Sequence, residues 1–323
     1  MKNKIRLLLG VFILSVVLGS CQHSGSNTKT LSNGAKLDSF DLRVALVPTI
    51  DCVPFLYAYD QGFYRKKNLN VKFYVLNSLL DCETALVHEN ADVASGDLVK
   101  AVKMQQNEKR RIVVVMATES RWALLASREV RMKKFSQLKD RTVAVARFTV
   151  TDFLSDFYAR KGNLQPNEVY RPQINDVHLR AQMLNEKQVE TAILPEPQAT
   201  TARVNGNRLI GGEHEYNGEG MGCIMGYAGG LQSKGKRTHV QTLLEGYDWG
   251  VTEMGRKGNS YRDSVLLKYN MVKDVRVLKQ VKWPEYHKAS LSQSADLQKA
   301  VDFLKSRGIS VNILPIINKK WSK

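Results

Sequence analysis

Residues 42–71 read LRVALVPTIDCVPFLYAYDQGFYRKKNLNV, and the parsing of this stretch decides the fold. Residues 42–47 are a short apolar run that suits a strand buried on both faces. Thr49-Ile50-Asp51-Cys52-Val53 leaves room only for a tight connection. Pro54 then opens a helix, because its missing N–H is one that the first turn leaves unpaired anyway. Phe55, Ala58, Tyr59, Gly62 and Phe63 recur at i, i+3, i+4, i+7 and i+8, which predicts one buried helical face, while Tyr57 points elsewhere and is free to stack on a ligand. Asn68 closes the helix in a left-handed conformation and Val71 begins the next apolar run. The unit is strand–loop–helix–strand, with its loop at the carboxyl end of a strand, where open α/β sheets bind ligands. Thr49 and Asp51 are therefore candidate ligand-facing groups.

The same rhythm continues outward. Strands are predicted over 71–76, 91–94 and 112–117, with helices over 81–88 and 98–106 between them. Residues 122–127 are strand-like, and after the basic stretch 128–134 the alternation restarts. Strands over 142–146 and 190–194 and a short one over 208–210 are separated by helices over 151–161, 176–185 and 198–204. Strands divided by helical patterns imply right-handed βαβ crossovers and a mostly parallel sheet. Two such runs predict an α/β protein of two lobes, each a mostly parallel sheet flanked by helices. The glycine-rich zone 211–235 contains an apolar run, 223–228, suited to a strand returning to the first lobe. Three C-terminal helices follow and need the first lobe to pack on. The lobes are then 41–119 plus 226–323 and 120–225. The chain crosses between them near 119–130 and 212–226, and two crossings make a hinge around a closing cleft.

The 323 residues are 43% hydrophobic and 24% charged, ordinary globular values that exclude a disordered or multi-span membrane chain. The formal charge of +17 is not ordinary; it favours anionic partners or, since the basic residues are scattered rather than striped, serves solubility. Lys2, Lys4 and Arg6 start a segment with an apolar core at 7–18, too short for a permanent span. Leu18-Gly19-Ser20-Cys21 resembles a bacterial lipobox, in which Cys21 receives lipid once residues 1–20 are removed. The mature chain, exported and held at a membrane of the cell envelope, keeps about +14, since residues 1–20 carry no acidic side chain. Residues 21–40 read as a flexible tether. Export permits disulfides. Cys52 and Cys82 follow two strands that are expected to be neighbours, so a Cys52–Cys82 bridge is expected over free thiols, with Cys223 unpaired and buried.

No HExxH, CxxC-plus-His, G-x-S-x-G or P-loop spacing occurs, and no aromatic-studded basic stripe marks nucleic-acid binding. Glu213-His214-Glu215, set among Gly211, Gly212 and Gly218, reads as a loop. The expectation is a protein without metal, cofactor or catalytic residues. The chemistry lies in βα loops instead. Arg147-Phe148-Thr149-Val150-Thr151-Asp152 offers a guanidinium, hydroxyls and the free N–H groups of a helix start, which together can hold an oxyanion. The alternative is that Thr149 or Thr151 is an N-cap and Arg147 a solvated charge. Ser95-Gly96-Asp97 forms a similar pocket in the first lobe, where Gly96 admits a ligand to the backbone or Asp97 acts as an ordinary N-cap. Glu196, between Pro195 and Pro197, can receive an amine or ring N–H, or simply complement a helix dipole.

These residues resemble a family. Residues 47–71, with Gly62-Phe63-Tyr64 and Lys67-Asn68-Leu69-Asn70-Val71, resemble the "GFF…GLDV" opening of type 2 periplasmic binding proteins. The group most similar is the sulfonate-, taurine- and thiamine-pyrimidine-precursor-binding receptors of ABC importers. Residues 136–145, SQLKDRTVAV, resemble their "dLkGkkVgv" entry to the second lobe, and residues 186–197 their "G-x-v-D-a…-E-P" stretch. The chain departs from the pattern at Arg147-Phe148-Thr149, at Lys187-Gln188 before Val189, and at Asn68. The resemblance implies a monomeric receptor that captures a small anionic or heterocyclic solute between two lobes and hands it to a permease driven by an ATPase. An enzyme on the same fold, or a sensor lipoprotein that does not transport, are the alternatives.

Overall fold

The computed structural model describes residues 40–106, 110–311 and 316–317. Cys21, the leader and nearly all of the tether lie outside the described residues. The chain runs β1 (Leu42–Leu46), a 3-10 turn (Ile50–Cys52), α1 (Val53–Asp60), α2 (Phe63–Lys66), β2 (Val71–Val75), α3 (Leu79–Val87), β3 (Val93–Asp97), α4 (Leu98–Gln105), β4 (Ile112–Ala117) and β5 (Trp122–Ala126). It continues through β6 (Val143–Ala144), α5 (Val150–Lys161), α6 (Val177–Asn185), β7 (Thr191–Pro195), α7 (Gln198–Val204), β8 (Arg208–Gly211) and β9 (Gly222–Tyr227). Four helices close it: α8 (Lys234–Lys257), α9 (Asn259–Lys268), α10 (Val275–Leu278) and α11 (Ser294–Ser306).

The opening stretch folds as its pattern predicts, with one break. Gly62 takes a φ of 71°, a left-handed turn open to glycine, and splits the expected single helix into α1 and α2. Asn68, at φ 55°, ends α2 in the left-handed conformation expected of it. Phe55 and Ala58 are buried, whereas Tyr59 is 41% exposed and packs edge-on to Phe73 rather than in the core.

Strand order is β2-β1-β3-β9-β4 in one sheet and β6-β7-β5-β8 in the other. β1 pairs in parallel with β2 and β3, and β6 with β7. The pairings of β9 with β3 and β4, and of β5 with β7 and β8, are antiparallel, so both sheets are mixed rather than mostly parallel. The cause is the path between sheets. β5 begins directly after the passage at 118–121, and β9 directly after the return at 212–221. Each therefore enters its sheet from the edge at which every other strand ends, and runs against its neighbours. Between α5 and α6 the chain adds only isolated bridges to the second sheet, Tyr170 with Thr142 and Gln173 with Val145.

Alternation along β1 divides the first sheet's core between its faces. Ala45 and Val47 pack with Cys82, Leu86, Leu98 and Leu304, whereas Val44 and Leu46 pack with Cys52, Phe55, Leu243 and Tyr247. α8 lies close against α1 because it carries glycine at the crossing: a Cβ at Gly250 would overlap the Pro54 carbonyl.

The two faces also explain why the expected Cys52–Cys82 disulfide is absent. Both thiols are free and buried, but Cys52 belongs to one face of the sheet and Cys82 to the other. Cys52 Sγ lies 3.3 Å from Ser95 Oγ instead. Cys223 is also a free, buried thiol. Position along the strands was a sound guide to their common edge; it carried no information about which face each side chain takes.

Candidate functional site

Seven of the strands end at one shared edge, and their following loops meet there. The loop after β1 touches the other half of the molecule through its main chain: Ile50 N–H donates to the Glu196 carbonyl at 3.1 Å. Gln198 Nε2 donates to the Pro48 carbonyl at 2.8 Å, and Val177 N–H to the Asn77 carbonyl at 3.0 Å. Tyr286 braces the same loop from behind, its hydroxyl donating to the Ile50 carbonyl at 2.6 Å.

Asp97 makes the most direct link. It is fully buried, and its Oδ1 accepts from Lys100 N–H at 2.8 Å, capping α4. Its Oδ2 accepts from Val150 N–H at 2.9 Å, at the start of α5 on the other sheet. One carboxylate thus serves two helix N-termini, where negative charge is favoured. Burial still raises its pKa to about 6, against the lowering by these N–H groups.

Between these loops lies a cavity enclosing ≈ 40 Å³ of free space. Thr49, Gly96, Thr149, Thr151 and Glu196, all singled out in the sequence, line it. The hydroxyls are engaged locally. Thr149 Oγ1 donates to the Ala146 carbonyl at 2.7 Å and accepts from Thr151 N–H at 3.2 Å, while Thr151 Oγ1 accepts from Ala146 N–H at 2.9 Å. A Cβ on Gly96 would meet the end of the Met225 side chain at 2.7 Å, so a larger residue there needs that side chain to move. Glu196 is 9% exposed and accepts from Thr200 N–H at 3.0 Å, and burial raises its pKa.

Other expected site residues lie elsewhere. Arg147 is exposed and lines a separate surface pocket with Arg160, Arg171 and Arg307. Asp152 accepts from Phe148 N–H at 3.0 Å and pairs with Arg307 at 3.2 Å, in a buried network that includes Asp156 and Arg171. Phe148 lies under Lys103, 5.0 Å from its ring centre. Tyr57 is buried and stacks on Trp249 at 5.8 Å. Ser95 faces inward, accepting from Val47 N–H at 3.3 Å. Asp51 accepts from Ser120 Oγ, leaving its buried Oδ1 without a partner. Glu213, of the acid–histidine cluster, pairs with Lys282.

Arg180, Trp122 and Asn175, which no loop motif marks, also line the cavity. Arg180 is 2% exposed, and its Nη1 donates to the Ile174 carbonyl at 2.6 Å while Nε has no partner. Burial lowers its pKa to about 10, Asp176 opposing, so it remains charged at neutral pH. A charge so placed costs several kcal/mol unless it is compensated. The signal was present: Val177, Arg180, Ala181 and Leu184 are the buried residues of α6 at i, i+3, i+4 and i+7, so the arginine sits on the apolar face.

Among the described residues no group of three or more His, Cys, Asp or Glu side chains could hold a metal, and no helix is long and apolar enough to cross a membrane. No curated protein matches the chain in sequence. The NMT1/THI5-like family matches it over residues 49–210, half of its length. In structure it is similar to the alkanesulfonate-binding protein SsuA of Xanthomonas axonopodis pv. citri bound to MOPS, with a TM-score of 0.72 at 13% identity over 86% of this chain and 97% of that one. It is also similar to a ligand-binding component of an ABC-type import system from Staphylococcus aureus with zinc bound (TM-score 0.68, 15% identity, 83% and 91% covered). A third match is the periplasmic nitrate-binding protein NrtA of Synechocystis (TM-score 0.67, 11% identity, 87% and 84% covered). These likenesses establish a two-lobed periplasmic-binding-protein fold.

Proposed function

The chain belongs to the NMT1/THI5-like family, and on that premise we propose that it is the solute-binding component of an ABC importer, capturing a small anionic or heterocyclic solute between its two sheets. The observation that carries this reading is the cavity, whose walls come from the strand ends of both sheets. The chain passes between those sheets at 118–121 and again at 212–221. A solute bound there touches both halves, so its differential affinity for the closed arrangement holds them together. The lobes that move are residues 41–119 with 226–323, and 120–225. Thr49, Gly96, Thr149, Thr151 and Glu196, with Arg180, Trp122 and Asn175, are the contact groups.

In this reading the protein binds and releases and performs no chemistry on its solute. Lipid on Cys21 holds the monomer at a membrane surface, and a permease with its ATPase receives the solute. A thermal-shift screen of the mature protein against small anions and heterocycles tests the reading. A ligand at a hundred times its dissociation constant adds about 2.7 kcal/mol of stability. If no member of a broad panel raises Tm, the receptor function is excluded.

A further inference from the structure

Arg147, Arg160, Arg171 and Arg307 meet around a pocket of ≈ 410 Å³ on the flank of α5, and its lining shares no residue with that of the cavity between the strand ends. Three parts of the fold bring them together. Asp152, Asp156 and Arg160 share one face of α5 at four-residue spacing. Arg171 stands in the segment between α5 and α6, its Nε donating to Ser155 Oγ at 2.5 Å and its Nη1 to the Val169 carbonyl at 2.9 Å. Arg307 directly follows α11, whose Leu304 packs with Ala45 and Leu98 of the first sheet's core. The pocket therefore takes its walls from both halves of the chain.

Two of the four guanidiniums are neutralised and two are not. Asp156, 2% exposed, lies 2.8 Å from Arg171 Nη2 and accepts from Arg307 Nη2 at 2.7 Å, while Asp152 accepts from Arg307 Nη2 at 3.2 Å. Arg147 and Arg160 are exposed, and neither side chain makes a hydrogen bond or ion pair among the described residues. The anchored pair also keeps donors unused: Arg171 Nη2, on a side chain 6% exposed, and Arg307 Nε are buried atoms without a hydrogen-bond partner. Burial, and then the charges of Arg307 and Arg147, push the Arg171 pKa down against the pull of Asp156 and Asp152, so the guanidiniums are near enough to repel one another.

Two surplus positive charges in one pocket are complementary to a dianion, and each planar fork to a pair of its oxygens. We propose that this pocket is a second binding site, outside the cleft, for a phosphate monoester group. Arg147 and Arg160 supply its charge, and Arg171 and Arg307 its buried donors. A phosphate monoester carries close to two negative charges at neutral pH. At ≈ 410 Å³ the pocket has the room of about a dozen waters at roughly 30 Å³ each, more than a phosphate fills, so the esterified group fits beside it. That group belongs to a soluble phosphate ester or to the headgroup of a phosphatidic acid. An occupant links the end of α11 to α5 and so fastens the two halves away from the cleft. The site stands whether or not the cleft takes a solute.

Titration calorimetry at low salt, where such contacts are least screened, tests this with inorganic phosphate and glycerol 3-phosphate. The protein is the mature chain carrying Cys21→Ser, so that no acyl chain takes part. Arg147→Gln/Arg160→Gln should weaken both probes at least tenfold and leave the unliganded Tm unchanged, because both side chains are exposed and unpaired. Arg147→Lys/Arg160→Lys keeps the charge without the forks and should fall between that variant and the wild type. Lys66→Gln/Lys133→Gln removes the same charge at exposed positions outside the pocket and should bind as the wild type does. Vesicles of phosphatidic acid in phosphatidylcholine separate the two sources. Sedimentation of the wild type with them, but not of Arg147→Gln/Arg160→Gln, assigns the lipid headgroup. Calorimetric binding of glycerol 3-phosphate without sedimentation assigns the soluble ester. Failure of both phosphates to bind the wild type overturns the proposal. Wild-type affinity in Arg147→Gln/Arg160→Gln overturns it by placing the phosphate elsewhere, the cleft included. An equal loss in Lys66→Gln/Lys133→Gln overturns it by marking diffuse charge, and tighter binding of a hexaglutamate peptide by assigning the pocket to an acidic protein surface.

Discussion

Asp97→Asn alters the shared cap of α4 and α5 while keeping its shape. The wild-type carboxylate is fully buried and accepts from Lys100 N–H at 2.8 Å and from Val150 N–H at 2.9 Å. Its pKa is raised from 3.8 to about 6, chiefly by burial. At 1.36 kcal/mol per unit, that shift is worth about 3 kcal/mol. The folded state holds the proton more tightly than the unfolded chain. The associated stability is therefore fully present below pH 3.8 and is lost as pH rises through about 6. Asparagine does not titrate. Its amide nitrogen faces one of the two N–H groups, a loss of roughly 1–3 kcal/mol that is the same at every pH. Urea unfolding of both proteins from about pH 4 to about pH 7 reads the difference, in which other titrating groups cancel. Wild-type stability minus that of the variant should fall by about 3 kcal/mol over this range and then level off. A difference constant to within about 0.5 kcal/mol, the ordinary error of such cycles, refutes the reasoning.

Gly250→Ala drives a methyl group into the Pro54 carbonyl and should cost about 1–3 kcal/mol, seen as a lower Tm. Asp156, 2% exposed, pairs with Arg171 and Arg307 at 2.8 and 2.7 Å, so Asp156→Asn should cost roughly 3–5 kcal/mol in chemical denaturation. A loss under about 1 kcal/mol would mean that the network does not tie the end of α11 to α5. Without reductant, Cys52, Cys82 and Cys223 should all react with a thiol reagent after unfolding and resist it when folded, because burial raises all three thiol pKa values. Two missing thiols in the unfolded protein would reinstate the bridge. Tyr286→Phe removes the 2.6 Å hydrogen bond to the Ile50 carbonyl and should lower stability by about 1 kcal/mol.

Much of the fold was legible because it rests on periodicity. The residues of β1, β4, β5 and β7 are apolar runs bounded by turn residues, and their strands lie where the pattern predicts. The returning strand β9 was legible too, as an apolar run inside a glycine-rich zone. Its direction was not, because direction depends on which edge the chain enters from, a property of the whole path. The site was read at the level of loops more truly than at that of side chains. The loops at 49–53, 95–97, 147–152 and 195–197 all reach the shared edge, yet Arg147 turns outward and Tyr57 into the core. Arginine in a loop attracts notice, whereas Arg180 within a helix passes for a solvated charge unless its helical face is counted. The cysteines failed for a related reason: depth along a strand is visible in sequence, but the face taken by a residue beyond the strand's end is not.

The place of β9 between β3 and β4 has a consequence for the order in which the molecule is assembled. Strands two places apart in a sheet are separated by roughly 10 Å, so β3 and β4 have no main-chain bonds to each other and wait for residues 222–227. Every residue of the second sheet, from Trp122 to Gly211, precedes β9 in the chain and closes on itself by pairings within that span. A chain emerging from its N-terminus therefore completes the inserted half first. The half that began earlier is left with two open edges until the last returning strand slots in between them, and those edges are the part of the nascent protein most exposed to pairing with another chain.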